Sequence, residues 1–333
     1  MSKEKDLSKP LKEFKWQVDL LYDGRRLDKF VHHKSPWRSR NIVQNIIRED
    51  KVLVNGEVAK ANYRLRKGDI VVAKLDIPDV DLSEIVVDVI YEDDYLLCVN
   101  KQPGILVHPA GKRLFGTLIN AIHAKYKDEP EVQPMLCHRL DEFTSGALLL
   151  AKNSNVKRYI QRRFEANEVD KAYLAIVEGD VPDDGGEVAV TVGAFRGEAP
   201  DYRTRMAANV EWGQKAKTEY VVEERFRSHT LVKCILHTGR THQIRVHMNH
   251  IGHPVLCDDV YTGRELVSRA DLGLEGAEPV LERQALHSWT LSFIHPVTEE
   301  RLTIEAPLAE DISRTLELLR GRCADEEKHV ERT

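Results

Sequence analysis

Two periods of apolar and polar residues run along the chain. In "SRNIVQNIIRED", Ile42, Val43, Ile46 and Ile47 fall on one face at helical spacing, with Ser39 placed to cap and Arg38, Arg40 and Arg48 alongside. A short amphipathic helix is predicted there. "KVLVNGEVAK" then switches to alternation around Asn55-Gly56, a pair that supplies the positive φ angles of a tight hairpin turn. Lys67-Gly68-Asp69 marks a further turn before "IVV". Residues 23–76 therefore read as a small module, one or two helices on a little sheet, edged by Arg64, Arg66 and Lys67. An extension of residues 1–22 precedes it.

Acidic, proline-containing text at 77–84, "IPDVDLSE", reads as a linker. Beyond it strand-like runs dominate: "DYLLCVNK", "GALLLAK", "KAYLAIVEG", "AKTEYVVEERF", "TLVKCILH", "HSWTLSFIHP" and "RLTIEA". Helical patterns are fewer. "NSNVKRYIQRRFEAN" has Asn153 or Ser154 as cap, "RTHQIRVHMNHIG" ends at Gly252, and "AEDISRTLELLRG" closes at Gly321. Strands and helices in irregular order favour an α+β domain over 85–320 with a largely antiparallel sheet, followed by a solvated tail at 321–333.

Charge changes this picture in one respect. The net charge of -5 argues weakly against a nucleic-acid partner, yet residues 1–80 carry +6 and the remainder -11. A basic head on an acidic body keeps a polyanion possible, because patches rather than totals decide where one sits. No apolar run approaches the roughly 20 residues of a membrane span, and the first residues lack the apolar centre of a signal peptide. The five scattered cysteines form no C-x-x-C pair. No membrane association and a cytoplasmic location are the expectations.

Several chemistries lose their best argument on spacing. Six residues separate Gly104 from Gly111 where a phosphate-binding Walker loop has four between its glycines, and neither a G-x-S-x-G elbow nor an H-E-x-x-H pair occurs. His247 and His250 could share a helical face, but no carboxylate or cysteine completes a ligand set, so no metal is expected. The stretch "CHRLDEFTSGALLLAK" differs. Asp141 follows His138 and Arg139 and precedes a Thr-Ser-Gly turn into a strand with the text of a buried element. Such an aspartate can simply accept backbone hydrogen bonds and hold its turn. A carboxylate fixed beside cations at a strand end also suits a nucleophile or a base.

"HRLDEFTSGALLLAK" resembles the active-site motif of the RluA family of pseudouridine synthases. The resemblance continues through "YLLCVNKQPGILVHPA", "KAYLAIVEG", "LHTGRTHQIRVHMNHIGHPVLCDD" and "ALHSWTLSFIHP", in the family's order, from roughly Glu84 to Pro307. The front module is similar to the alpha-L RNA-binding domain. This resemblance implies a pseudouridine synthase fold that isomerises uridine in RNA. Asp141 would be the catalytic aspartate, Arg245 its partner, and Tyr173 the ring that packs on uracil and helps remove the C5 proton.

By the same resemblance Arg139 would fill the gap left by a flipped base, His138 beside it would bind substrate as well, and Leu256 would wall the flipped uridine. Arg38, Arg40, Arg64 and Arg66 would meet RNA from the front module. Without the resemblance, Tyr173 reads as a core strand residue and Arg245 as a helix-surface cation. The chain departs from the family at Cys257, Ala147 and Glu142-Phe143. A redox-neutral isomerisation implies no cofactor. The expected partner is RNA, ribosomal first and transfer RNA second, with the chain acting as a monomer; a non-catalytic RNA-binding assembly factor is the other reading.

Overall fold

The computed structural model describes residues 13–34, 40–74, 81–110, 115–129, 132–196 and 205–330, without the side chains of 40–42 and 324–330. Arg38 and Ser39 lie outside the described residues, as does the Arg40 side chain. The chain divides into two compact units, 1–86 with 106–131, and 87–105 with 132–333.

In the first unit, β1 (Glu13–Gln17), α1 (Leu27–Lys34), α2 (Arg40–Arg48), β2 (Val52–Val54), β3 (Glu57–Val58) and β4 (Ile70–Lys74) are joined by α3 (Leu118–Lys125). The sheet order is β1-β4-β2-β3, antiparallel throughout. Asn55 and Gly56 turn the predicted hairpin with φ of 53° and 88°. Val43, Ile46 and Ile47 of α2 join Leu27, Phe30 and Val52 in the buried core. Helical periodicity thus found its buried face.

The second unit holds β5 (Val89–Glu92), β6 (Leu96–Lys101), β7 (Met135–Leu136), β8 (Ser145–Ala151), α4 (Ser154–Glu165), β9 (Asp170–Glu178), β10 (Gly185–Ala194) and β11 (Met206–Ala208). It continues with β12 (Gln214–Arg225), β13 (His229–Leu236), α5 (Gln243–His250), β14 (Val267–Ser268), β15 (Pro279–Leu281), β16 (Leu286–Ile294), β17 (Arg301–Glu305) and α6 (Glu310–Val330). Eleven strands form one mixed sheet in the order β11-β10-β12-β13-β9-β16-β8-β6-β5, with β17 on β16 and β7 on β8. Every pairing in it is antiparallel except β8 with β16.

That parallel pairing positions the site. All seven residues of β8 are buried, as its apolar text implies, and Ser145 and Gly146 lie opposite His287 and Ser288. Gly146 sits at φ 106°, and a Cβ there would run into the Ser288 backbone. Only glycine lets the two strands meet where the Thr-Ser-Gly turn enters the sheet.

Two features depart from the sequence pattern. The last helix does not close at Gly321 but runs to Val330. Among the described side chains Leu319 is its last buried residue, and the following "RCADEEKHV" is rich in helix formers that carry it on. β10, "GGEVAVTVGA", was not among the predicted strands because Gly185, Gly186 and Gly193 interrupt its alternation. Each of these glycines has a neighbour where a Cβ would stand, Tyr220 for the first two and Val210 for the third, so they reflect close packing in the sheet.

Candidate active site

Asp141 stands on the short loop between β7 and β8. The Thr144 N–H donates to its carbonyl oxygen at 3.2 Å, closing the turn that the Thr-Ser-Gly text suggests. Two buried cations hold the same loop from behind. Lys101 Nζ lies 2.7 Å from the Glu142 carbonyl, 2.8 Å from that of Gln102 and 2.9 Å from that of Ile105. Arg283 donates to the Phe143 carbonyl at 3.0 Å and to Ser145 Oγ at 3.2 Å, while Asp311 pairs with it through both carboxylate oxygens. Burial first, and then the charge of Arg283, lower the Lys101 pKa to about 7, against the pull of Asp141 and Glu142.

Arg245 faces Asp141 from α5. Its Nη1 donates to Asp141 Oδ2 at 3.3 Å, while Nε and Nη2 are taken at 2.6 and 2.7 Å by the two oxygens of Asp258. Asp258 is fully buried and also accepts from the backbone N–H of Val260 at 3.1 Å. Burial works against the Arg245 charge, but the hydrogen bonds to Asp258 and the charges of Asp258 and Asp141 outweigh it, so its pKa rises above the ordinary value. The start of α5 is fixed by Gln243, whose side chain bonds Thr238, the Arg240 N–H, the Lys217 carbonyl and Thr218.

His242 caps α5 in a left-handed conformation, φ 56°, with Nε2 3.8 Å from Asp141 Oδ2 and Nδ1 3.1 Å from the Tyr261 hydroxyl. Burial, which favours the neutral ring, depresses its pKa, and the Asp141 charge opposes that shift. The Arg245 guanidinium lies over the Tyr261 ring at 5.3 Å. Tyr173, on β9, is 7% exposed. Its phenol is pushed up to about 12 by burial and by the Asp141 charge, with hydrogen bonding to Ser288 opposing.

Asp141, Arg245, Tyr173 and the exposed Arg139 line one cavity together with His242 and Leu286. The other expected residues lie elsewhere. His138 Nε2 accepts from the Leu149 N–H at 2.9 Å and its ring packs on Phe164, 4.9 Å between centroids. Burial lowers its pKa to about 3, so it serves as a neutral packing and hydrogen-bonding group. Leu256 is fully buried, its backbone bonded to Ile176 and Ala285. In the first unit Arg64 and Arg66 are exposed, and Arg64 donates to the Gly24 carbonyl at 3.0 Å.

Asp258, His242, Tyr261, Lys101 and Arg283 were not singled out from sequence. The paired carboxylates of "CDD" were the available signal for Asp258. Cys257, where the resembled family favours glycine, adopts φ 59°, and its thiol donates to the Leu281 carbonyl at 3.4 Å. That contact ties β15 to the residue before Asp258. Among the described residues no group of three or more His, Cys, Asp or Glu is placed to hold a metal ion, and no helix is long and apolar enough to cross a membrane.

Set against known proteins, residues 95–250 match the family described as RNA pseudouridylate synthase, and residues 25–71 match the S4 domain. An uncharacterized RNA pseudouridine synthase of Bacillus subtilis is 37% identical over 89% of this chain and 95% of its own. A protein of Xanthomonas campestris named ribosomal large subunit pseudouridine synthase D is 35% identical over 89% of both chains. The solved structure of human RNA pseudouridylate synthase domain containing 4 superposes with a TM-score of 0.57 and 25% identity, covering 72% of this chain and 95% of that one.

Proposed function

The chain belongs to the RNA pseudouridylate synthase family, with an S4 domain in front, and we propose that it isomerises selected uridines of large-subunit ribosomal RNA, acting as a monomer in the cytoplasm. Relatives named for the large ribosomal subunit support the substrate, and that substrate supports the compartment. A cavity lined from within one unit supports the monomer. The single observation that carries the catalytic reading is Arg245, held by buried Asp258 and bonded to Asp141 at the cavity.

The reaction breaks the bond from ribose C1′ to uracil N1 and forms one from C1′ to C5. The hydrogen on C5 leaves and N1 gains one, so atoms and electrons balance without a redox partner. Asp141 is the group at the reacting atoms. A carboxylate there can attack the sugar, add to the ring or take a sugar proton, and Arg245 orients it whichever it does. Tyr173, protonated at neutral pH with its phenol near 12, suits packing on the uracil better than taking the C5 proton. Extruding a stacked uridine costs a few kcal/mol. Arg139, exposed at the cavity, has the flat guanidinium to fill the vacated place.

Pseudouridine mapping on a large-subunit ribosomal RNA transcript tests the reading. Wild-type protein should form pseudouridine, and Asp141→Asn should form none while binding the transcript within a few-fold of wild type. Turnover by Asp141→Asn would sink the assignment of the aspartate. Modification confined to transfer RNA would overturn the substrate.

A further inference from the structure

Helix α4 carries a row of cations for which the catalytic reading has no use. Arg158 and Arg162, one turn apart and about 6 Å along the axis, are both exposed, and neither has an ion-pair partner among the described residues. They line a shallow depression with Asn155, Tyr159 and Arg163. Arg163 is already committed: it lies over the Tyr159 ring at 4.8 Å and pairs with Glu168. It thereby fixes the aromatic ring beside its two unpaired neighbours. Glu165, one turn beyond Arg162, bonds to none of them.

A cation in the last turn of a helix needs no ligand to explain it, because it complements the carbonyl end of the dipole. That accounts for Arg162 and Arg163 but not for Arg158 in mid-helix. Nor does it account for unneutralised arginines in a chain whose residues beyond 80 carry -11. The opposite side of α4 packs against the catalytic segment. Phe164, two positions past Arg162 and off the arginine row, packs in a tilted arrangement on His138, and His138 directly precedes Arg139 at the cavity. Lys171, whose ammonium lies 5.6 Å from the Phe164 ring, is the second residue of the strand that carries Tyr173.

We infer that the α4 face formed by Asn155, Arg158, Tyr159 and Arg162 is a second RNA-docking surface, which holds the phosphodiester backbone of the substrate RNA. The inference rests on the proposed function for its substrate. Guanidinium groups match phosphate oxygens bidentately, Asn155 adds a donor, and the Tyr159 ring gives a flanking base or sugar an apolar rest. The surface orients RNA and touches no reacting atom. Its loss should therefore appear in binding and not in chemistry.

The test uses the full chain and a protein-free large-subunit ribosomal RNA transcript, with Arg158→Gln/Arg162→Gln compared with wild type across a salt series. Gln keeps the helix, and Arg158→Lys/Arg162→Lys keeps the charge. The slope of log Kd against log salt should fall by about 1.4 to 1.8 for two lost phosphate contacts. KM should rise several-fold with kcat unchanged at saturating RNA, and the lysine variant should restore the slope. An unchanged slope with an unchanged KM overturns the inference. So does weakened binding to an assembled ribosomal particle alone, which would make the face a protein-docking surface. Wild-type protein that forms no pseudouridine in the transcript counts against the proposed function instead, and the slope comparison still decides the role of α4.

Discussion

Arg245 grips Asp258 with two hydrogen bonds, at 2.6 and 2.7 Å, and leaves Asp141 a single one at 3.3 Å. The buried pair fixes the guanidinium plane, so that the remaining nitrogen points at the carboxylate in the cavity. Asp258 thus sets, through Arg245, where Asp141 is held.

Removing Asp258 should cost both stability and rate. Asp258→Ala leaves a buried guanidinium with one weak partner, and breaking such a pair costs about 3 to 5 kcal/mol. A shift of the order of 1 Å at Asp141 costs roughly a hundredfold in kcat. Urea unfolding and single-turnover kinetics check the two effects. A variant within 1 kcal/mol of wild type and with full kcat would show that Asp258 does not position the site.

Lys101 predicts a pH dependence. Its folded pKa, about 7, lies below the ordinary 10.5, so between those values the unfolded chain holds a proton that the folded one does not. Stability should therefore rise with pH across that window by a few kcal/mol, and Lys101→Met should abolish the rise. The rate should move the other way. Three carbonyl oxygens surround Nζ, and only the ammonium has three N–H groups, so raising pH past about 7 loosens the hold on Glu142. The kcat of wild type should fall there, while that of Lys101→Met stays low and flat. Parallel pH profiles for the two proteins would refute the clamp.

The first unit can be tested at one side chain. Arg66 is exposed and its backbone N–H, not its guanidinium, bonds Asp69 at 2.8 Å. Arg66→Gln should lower the salt slope of RNA binding by about 0.7 to 0.9 with no change in melting temperature. Arg64→Gln also loses the bond to Gly24 and should cost about 1 kcal/mol besides. Filter binding and thermal melts separate the two, and an Arg66→Gln slope equal to wild type would remove this residue from the RNA interface.

Much of this was legible in the chain. Helical spacing placed α2, Asn153 placed the start of α4 by accepting from the Val156 N–H at 3.0 Å, and the text of β8 announced its burial. Local patterns report local geometry. Asp258, Lys101 and Arg283 were not legible, because their roles depend on neighbours 13, 41 and 140 positions away. His138 shows the same limit from the other side. It stands three residues before Asp141, yet its ring turns to Leu149 and Phe164 and away from the cavity.

The β8–β16 pairing also sets an order in time. The loop that carries Asp141 takes its shape from Arg283, His287 and Ser288, which bond or flank residues made some 140 positions earlier. Contacts of such separation close late in folding, after their loop entropy has been met. During synthesis, a chain that has emerged only as far as α5 already holds Asp141, Tyr173 and Arg245 but not the strand that aligns them. On the proposed function, its basic head is complete before the loop of Asp141 is aligned, so competence to modify RNA arrives with the last strands rather than with Asp141.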